Sequence, residues 1–405
     1  MQNTPKSLRL QIAITGRTNA GKSSFLNLVC GQNVAITSDI AGTTTDVVEK
    51  AMELPPLGPV LFMDTAGFGD ETDLKNQRLE KTISAIEKAD IILLVCENDK
   101  FGEPEEKIIT LAQKNNTPLI KIYNKADNQN DGNASEEIRL NSLDLSSRNK
   151  VLQNLTEALL RACPAEFLNE KPLLGDLAEE NSTVVMIVPI DYEAPKGRLI
   201  LPQVQAIRDC LDHNQNILVC KETNYVSALN SLKNPPALVI CDSQVVDFMV
   251  KNTPPEIKCT TFSILMARFK ADLSIMAGNA AAIKFLQDGD KVLIAESCTH
   301  HAVQDDIGRV KIPALLKKKT QKNLEIDFVS GCDFGKNLSQ YQLVIQCGGC
   351  TINRKEMLMR LKKCQDANVK ITNYGVAISE LKGVLARVLE PFDEALKEYL
   401  KASKL

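Results

Sequence analysis

The most restrictive feature of this chain is a glycine-rich segment, Gly16-Arg17-Thr18-Asn19-Ala20-Gly21-Lys22-Ser23, which fits the pattern G-x-x-x-x-G-K-[ST]. An apolar run at 8–15 precedes it, and residues 22–28 after it have helical spacing. A glycine turn between a strand and a helix lets backbone N–H groups surround a phosphate, and the helix N-terminus adds positive potential. The spacing therefore predicts a phosphate-binding loop in which Lys22 reaches the β- and γ-phosphates and Ser23 ligates Mg²⁺.

The rest of the chain alternates apolar runs with helical patterns, which is typical of α/β folds. In the N-terminal part the predicted strands are 8–15, 60–63, 91–96 and 119–123. Residues 164–182 contain Pro164, Pro172 and Gly175 and several acids, which favours a linker. We therefore predict an α/β protein with an N-terminal P-loop domain built on a doubly wound sheet, followed by two smaller α/β domains. The predicted domains are 1–165, 180–265 and 266–405.

Two further motifs predict which nucleotide is bound. Asp64-Thr65-Ala66-Gly67 follows an apolar strand, so that Asp64 can hold Mg²⁺ through water and Gly67 can reach the γ-phosphate. Asn124-Lys125-Ala126-Asp127 follows another strand. A carboxylate at Asp127 can accept hydrogen bonds from both N1–H and the 2-amino group of guanine, which adenine does not offer. The predicted ligands are therefore GTP and Mg²⁺.

Together these motifs resemble the translation-factor-related GTPases, especially the branch of the tRNA-modifying and ribosome-assembly GTPases. The resemblance implies that Gly42-Thr43-Thr44-Thr45-Asp46 is switch I, with Thr44 as the second Mg²⁺ ligand and Thr43 or Thr45 as alternatives. It also implies a base-contacting loop at Asn141-Ser142-Leu143, to which Ser142 belongs. The other expected nucleotide contacts are Gly16, Asn19, Ala20, Gly21, Ser24, Asn124 and Lys125.

The rate of hydrolysis depends on the residue after Gly67. Phe68 stands where Ras-like enzymes have the glutamine that orients water, which predicts slow unassisted hydrolysis. In the branch that this chain resembles, a P-loop asparagine helps to bind K⁺, and Asn19 occupies that position. The resemblance therefore implies stimulation by K⁺, which equal rates in K⁺ and Na⁺ would contradict.

A second candidate site comes from the twelve cysteines and three histidines. Cys298 and His300 follow the predicted strand 291–295, and the C-x-x-C pair Cys347 and Cys350 follows the predicted strand 343–346. Because the carboxyl ends of parallel strands share one rim of a sheet, the two segments can converge. Three thiolates suit three irons of a [4Fe–4S] cluster, and the fourth iron could take His300, His301, Glu296, Asp305 or an exchangeable small molecule.

Other interpretations of the cysteines stay open. Zinc accepts the same three thiolates and one imidazole. A thioredoxin-like redox pair at Cys347 and Cys350 leaves Cys298 and the histidines unexplained. We expect Cys332 and Cys364 to be core or surface thiols. The scattered cysteines are predicted to act only as small hydrophobic side chains: Cys30, Cys96, Cys163, Cys210, Cys220, Cys241 and Cys259.

A GTPase domain followed by C-x-H and a later C-x-x-C resembles the family of [FeFe]-hydrogenase maturation GTPases. The family pattern places a histidine directly before the last pair, where this chain has Gln346, so no histidine ligand is expected from that position. The resemblance implies a homodimeric scaffold that holds a [4Fe–4S] cluster, assembles or receives the two-iron subcluster precursor, and delivers it to apo-[FeFe]-hydrogenase. Two radical S-adenosylmethionine maturases would supply the ligands of the precursor, and GTP hydrolysis would switch partner association.

Charge and hydropathy exclude some functional classes of protein. With 48 basic and 51 acidic side chains the net charge is −3, which argues against a protein whose main function is to bind nucleic acid. No stretch approaches the ~18 apolar residues that a membrane helix needs, and residues 1–7 show no signal peptide, so we expect a cytoplasmic protein. The main alternative is a tRNA-modification or ribosome-assembly type GTPase with a structural zinc site.

Overall fold

The computed structural model describes residues 4–31, 48–67, 75–97, 101–125, 137–168, 171–190, 199–297, 306–331, 334–335 and 337–404. The chain divides into two compact units, Met1–Glu170 and Lys171–Leu405. None of the helices in the described part of the chain has the length and hydropathy that crossing a bilayer requires.

The first unit contains a six-stranded sheet in the order β2-β3-β1-β4-β5-β6. Its elements are β1 Leu10–Thr15, α1 Lys22–Cys30, β2 Val48–Leu54, β3 Gly58–Asp64, α2 Lys75–Lys88, β4 Ile91–Glu97, α3 Glu103–Lys114, β5 Leu119–Asn124, β6 Glu137–Arg139, α4 Arg148–Ala162 and α5 Ala165–Leu168. Strand β1 pairs in parallel with β3 and β4, and each of its residues is buried. The predicted parallel sheet and its four strands are therefore confirmed.

Strand β2 was not predicted from the sequence. It pairs antiparallel to β3 at the edge of the sheet, and its residues alternate between half-buried and exposed until Leu54. Its sequence, Val-Glu-Lys-Ala-Met-Glu-Leu, carries three charges and lacks the continuous apolar run of a central parallel strand. An edge strand needs only one buried face, so its pattern is weak.

The second unit contains two sheets of four parallel strands, in the orders β10-β9-β7-β8 and β12-β11-β13-β14. The elements around the first sheet are β7 Thr183–Ile187, α6 Leu201–Asp212, β8 Asn216–Cys220, α7 Tyr225–Asn230, β9 Leu238–Cys241, α8 Val246–Asn252, β10 Cys259–Thr261 and α9 Phe262–Lys270. Those around the second are α10 Leu273–Ala280, β11 Lys291–Ala295, α11 Ile312–Thr320, β12 Glu325–Val329, β13 Leu343–Gln346, α12 Arg354–Asp366, β14 Lys370–Asn373, α13 Tyr374–Leu381, α14 Leu385–Val388 and α15 Asp393–Ala402. One hydrophobic cluster extends over both sheets.

The expected linker is wrong for its second half. Leu173 and Leu174 are buried in the core of the second unit. The backbone N–H groups of Leu173, Leu174 and Gly175 donate to the Asp209 carboxylate on α6 at 3.1, 2.8 and 2.7 Å. Because this one side chain satisfies three backbone groups, a segment rich in turn residues packs tightly. The domain boundaries at 165, 180 and 266 remain a prediction.

Candidate functional site

The predicted phosphate loop joins β1 to α1. Helix α1 begins at Lys22 with Gly21 as its N-cap at φ 91°, and a glycine N-cap has no side chain to cap the first turn. A helix start of this kind is suited to binding an anion with its backbone N–H groups. The Lys22 side chain is 8% exposed, and its Nζ lies 3.3 Å from the carbonyl oxygen of Gly16 and 2.9 Å from that of Arg17. This places the ammonium inside the curve of the loop.

The expected Mg²⁺ ligands meet at the end of β3. Ser23 Oγ donates to Asp64 Oδ2 at 2.8 Å, and Asp64 is 1% exposed. The other carboxylate oxygen, Oδ1, has no hydrogen-bond partner among the described residues, and neither has Thr15 Oγ1 nearby on β1. Burial raises the pKa of Asp64, while the Ser23 hydrogen bond and the Lys22 charge lower it. A buried, half-satisfied carboxylate beside a hydroxyl fits a hard cation such as Mg²⁺.

Gly67 approaches the phosphate loop closely. A Cβ at this position would lie 2.6 Å from the Cα, N and Oγ1 atoms of Thr18. Only glycine therefore fits here without displacing the loop. The contact joins the Asp64-to-Gly67 motif to the G-x-x-x-x-G-K-[ST] motif, and the expected contact of Gly67 with the γ-phosphate stays a prediction.

Asn124 connects three segments of the expected nucleotide site. Its Nδ2 donates to the Ala20 carbonyl at 3.0 Å, and its Oδ1 accepts from the Ser142 N–H at 3.0 Å. Lys125 Nζ donates to the Asn19 carbonyl at 3.2 Å and pairs with Glu97 at 2.9 Å. The structure thus brings together the phosphate loop, the end of β5 and the predicted base-contacting loop.

Several expected nucleotide contacts fall on residues that the structure does not describe. Thr43, Thr44 and Thr45 lie in 32–47, Phe68 lies in 68–74, and Asp127 lies in 126–136, all outside the described residues. Gly16 is at the start of the loop, and Ser24 lies in the first turn of α1. The nucleotide contacts of all these residues remain predictions.

The second candidate site is the cysteine loop, which we define as Cys347–Cys350, between β13 and α12. Cys347 Sγ accepts a hydrogen bond from the Ser297 backbone N–H at 3.1 Å. Thr351 Oγ1 in turn donates to the Ser297 carbonyl at 3.2 Å. Ser297 follows β11 and immediately precedes Cys298 in the sequence. The ends of β11 and β13 are therefore adjacent, as expected for neighbouring parallel strands.

A buried lysine donates hydrogen bonds to the backbone in and just after the cysteine loop. Lys270, the last residue of α9, is 1% exposed, and its Nζ donates to the carbonyls of Gly349 and Ile352 at 2.7 and 2.8 Å. Gly349 has a left-handed φ of 63°, and a Cβ there would lie 2.5 Å from Met357 Cε. Burial raises the pKa of the Cys350 thiol, Cys347 raises it further, and the Lys270 ammonium opposes both.

The residues present fit an iron–sulfur group. Thiolates are the usual cluster ligands, and N–H groups commonly donate hydrogen bonds to the ligand sulfurs. Cys347 has both features. No group of three or more His, Cys, Asp or Glu side chains suited to a metal ion occurs among the described residues. Cys298, His300, His301 and Asp305 belong to 298–305, outside those residues, so the full ligand set remains a prediction.

Glu296, a candidate for the fourth ligand, already has strong partners. Its Oε2 accepts from Arg309 Nη2 at 3.1 Å and from Ser330 Oγ at 3.0 Å, and the residue is 3% exposed. Its recruitment to a metal would break the hydrogen bonds of a buried carboxylate to Ser330 and to the partly exposed Arg309.

The scattered cysteines mostly match their predicted role as hydrophobic side chains. Burial raises the pKa of Cys96, Cys163 and Cys259 to about 11 and that of Cys210 and Cys364 to about 12. Cys241 is also buried, whereas Cys30 and Cys220 are half-buried. Cys332 lies outside the described residues.

Sequence reasoning missed the charged side chains that brace the two sites. Arg17 of the phosphate loop forms a two-pronged ion pair with Glu105 on α3, at 2.8 and 2.6 Å. Glu105 is fully buried, and although burial raises its pKa, the Arg17 hydrogen bond, the Arg17 charge and backbone hydrogen bonds together leave the pKa lowered. At the other site Lys270 donates to the Gly349 carbonyl of the cysteine loop, and Arg360 donates to Gln346 directly before the loop. Charged side chains of amphipathic helices are usually exposed. The sequence therefore contained no sign that these particular ones are buried.

Comparison with known families assigns all three parts of the chain. Residues 11–125 match the model described as 50S ribosome-binding GTPase. Residues 173–271 match the hydrogen maturase F dimerization domain, and residues 274–391 match the hydrogen maturase F tetramerization domain. The last two matches together cover more than half of the chain.

Individual relatives match less than half of the chain. The tRNA modification GTPase MnmE of Hydrogenovibrio crunogenus is 38% identical over 119 residues, which are 29% of this chain and 26% of that protein. GTPase Der of Leptospira interrogans is 30% identical over 188 residues, 45% of this chain and 35% of that protein. The chain thus spans about a quarter to a third of the length of these curated relatives.

Among solved structures, Era in complex with MgGDPNP and nucleotides 1506–1542 of 16S ribosomal RNA covers 52% of this chain and 90% of its own, at 20% identity and a TM-score of 0.33. This score is too low to support an argument about function. The family assignment comes from the two matches after residue 170, which are specific to a single family, and from the GTPase match before it. The chain therefore belongs to the hydrogen maturase F (HydF) family, and its N-terminal unit is a GTPase domain.

Proposed function

We propose that the protein is a GTP-dependent scaffold and carrier for hydrogenase maturation. It holds a [4Fe–4S] cluster, assembles or receives the two-iron subcluster precursor, and transfers this cargo to apo-[FeFe]-hydrogenase. Two radical S-adenosylmethionine maturases supply the ligands of the cargo. The observation that supports this most is the cysteine loop at the end of β13, whose Cys347 Sγ accepts an N–H from the residue before Cys298.

The proposed cluster ligands are Cys298, Cys347 and Cys350, with His300 as a candidate for the fourth iron. When bound, the cluster would supply an iron position that exchanges small ligands. The chain's own contribution is to hold the loop: Lys270 fixes the carbonyls of Gly349 and Ile352, and Ser297 donates to Cys347 Sγ. Such fixed loops keep ligand sulfurs in place before metal arrives.

The GTPase domain acts in this proposal as a slow switch on partner association. Binding or loss of the γ-phosphate changes loops that contact it, and such changes can be transmitted to partner surfaces. The proposal includes K⁺ stimulation through Asn19, whose carbonyl accepts from Lys125 in the structure. It also includes a cytoplasmic location.

Cluster binding by the cysteine loop is the first prediction to test. After anaerobic purification and reconstitution with iron and sulfide, the full-length protein should contain about four irons, as one [4Fe–4S] cluster does, and give an EPR signal when reduced. Cys347→Ala, Cys350→Ala and Cys298→Ala should each lower iron content and EPR intensity by more than half, since each removes a thiolate. Cys364→Ala is the matched control, because Cys364 is buried in the same unit with a pKa of about 12.

Two results would contradict the proposal. One is an iron content unaffected by all three substitutions. The other is a colourless protein with stoichiometric zinc that takes up no iron, which would favour a zinc-stabilised, GTP-dependent interaction module without iron chemistry.

The family descriptions indicate self-association, and we propose that strand β8 provides the dimer surface. Strand β8 pairs only with β7, so one of its edges carries unpaired backbone groups within the described structure. Val219 on β8 is 46% exposed, and Val204 and Leu211 on the adjacent α6 are 48% and 60% exposed. An open edge beside exposed apolar side chains is suited to a second copy of the same chain.

Val219→Lys is therefore expected to weaken the dimer, because it places a charge at the apolar edge. We expect the dimer dissociation constant from sedimentation velocity to rise at least about tenfold. Leu400→Lys is the control, since Leu400 is 44% exposed but lies outside both residues 173–271 and residues 274–391. An unchanged dissociation constant for Val219→Lys would rule out this edge.

A further inference from the structure

The orientation of the Gln346 side chain is determined by its neighbours. Gln346 ends β13 and is fully buried. Its Oε1 accepts from Arg360 Nη1 at 2.9 Å. Because a guanidinium only donates hydrogen bonds, the amide oxygen must face Arg360 and the NH₂ group must point the other way. That NH₂ group lies 2.9 Å from Ser297 Oγ and 3.3 Å from Cys347 Sγ.

Arg360 is itself held in place. It is 3% exposed on α12, and its Nη2 donates to the Gly331 carbonyl at 2.8 Å and to Glu356 Oε1 at 3.0 Å. Its guanidinium also lies 5.0 Å from the centre of the Phe334 ring. A guanidinium with three fixed partners loses little further entropy when it orients the amide. The chain of contacts from Glu356 through Arg360 to Gln346 therefore aims one N–H at the sulfur.

We propose that Gln346 is a positioning residue that donates its Arg360-oriented amide to the Cys347 sulfur and thereby raises the reduction potential of the [4Fe–4S] cluster. A hydrogen bond to a ligand sulfur withdraws negative charge and favours the reduced state, which carries more of it. Gln346 thus acts through Cys347 and is not a ligand. The inference rests on the proposed function, because it assumes that the Cys347 thiolate ligates iron.

The test compares two Gln346 variants with the wild-type full-length protein. Gln346→Leu removes the N–H, and Gln346→Glu keeps an acceptor for Arg360 but replaces the N–H with an oxygen. Iron and sulfide contents are measured first, and then the midpoint potential is determined by EPR-monitored titration with dithionite. Gln215→Leu is the matched control, because Gln215 is a 4% exposed glutamine that donates to the Gly175 and Ala178 carbonyls in the same unit.

We expect the loss of one hydrogen bond to lower the equilibrium constant for reduction about fivefold to tenfold in Gln346→Leu, a tenfold change being about 59 mV for one electron. Gln346→Glu should show at least the same downward shift, and it also serves if the leucine variant does not fold. Gln215→Leu should keep the wild-type potential. Iron-loaded Gln346 variants with unchanged potentials would overturn this inference alone, whereas a wild-type protein without iron would overturn the proposed function.

Discussion

Lys22→Ala is expected to lower kcat/KM for GTP hydrolysis by about 10²–10³-fold, the usual loss when one fixed donor to developing charge is removed. Lys22 is 8% exposed, and its ammonium lies inside the phosphate loop, 3.3 and 2.9 Å from the carbonyl oxygens of Gly16 and Arg17. The measurement is steady-state phosphate release with Mg²⁺ and GTP, together with GTP affinity from calorimetry.

The control for this prediction is Lys107→Ala. Lys107 lies in the same unit on α3, its side chain is 64% exposed, and it pairs with the exposed Glu103 in the i,i+4 position. Such a pair contributes little, so hydrolysis should be unchanged. A folded Lys22→Ala protein with wild-type kcat/KM would show that the phosphate loop is not the catalytic site.

Asp64→Asn is expected to have opposite effects on activity and on stability. The substitution removes the carboxylate expected to hold Mg²⁺, so hydrolysis should fall by about 10²–10³-fold. Without nucleotide and in EDTA, however, the N-terminal unit should become more stable at pH 8, by about 1 kcal/mol. The reason is that Asp64 is 1% exposed and its Oδ1 has no hydrogen-bond partner among the described residues.

The pH dependence of this gain follows from the pKa of Asp64, which burial raises above its ordinary value. A carboxyl group with a raised pKa in the folded state binds its proton more tightly there than in the unfolded chain. The free energy of unfolding of the wild type therefore falls as pH rises from the unfolded pKa to the raised pKa. The advantage of Asp64→Asn should appear over that range and persist above it.

Urea unfolding at pH 4 and pH 8 measures this difference in the free energy of unfolding. Hydrogen exchange of peptides from β1 and β3 then assigns the difference to the N-terminal unit. Asp144→Asn is the control, because hydrogen bonds from Ser146 lower the pKa of Asp144 and its replacement should bring no gain at pH 8. An Asp64→Asn protein that is less stable than wild type at pH 8 would contradict the assignment of Asp64 as a buried carboxylate without a full set of partners.

Much of the architecture could be predicted because buried strands and helices have characteristic patterns of apolar residues in the sequence. The predicted strands 291–295 and 343–346, which are central in their sheet, have the same bounds in the structure. Central parallel strands are buried on both faces and are therefore continuous apolar runs. Edge strand β2 and the packed segment from Lys171 to Ser182 were missed, because their stability comes from one neighbouring strand and from the distant Asp209.

In the two candidate sites, too, some features could be predicted from local sequence and others arise only from packing. The residue types and spacing around Lys22, Asp64 and Cys347 are enough to predict a nucleotide loop and a thiolate pair, because phosphate and metal chemistry require those groups in local order. The supporting contacts join residues far apart in the chain: 104 positions separate Asn124 from Ala20, and 79 separate Lys270 from Gly349. No local pattern records such pairs, since packing of whole helices and strands creates them. The chemistry is therefore readable in the linear chain, whereas the partners that orient each reactive group arise only when the elements pack.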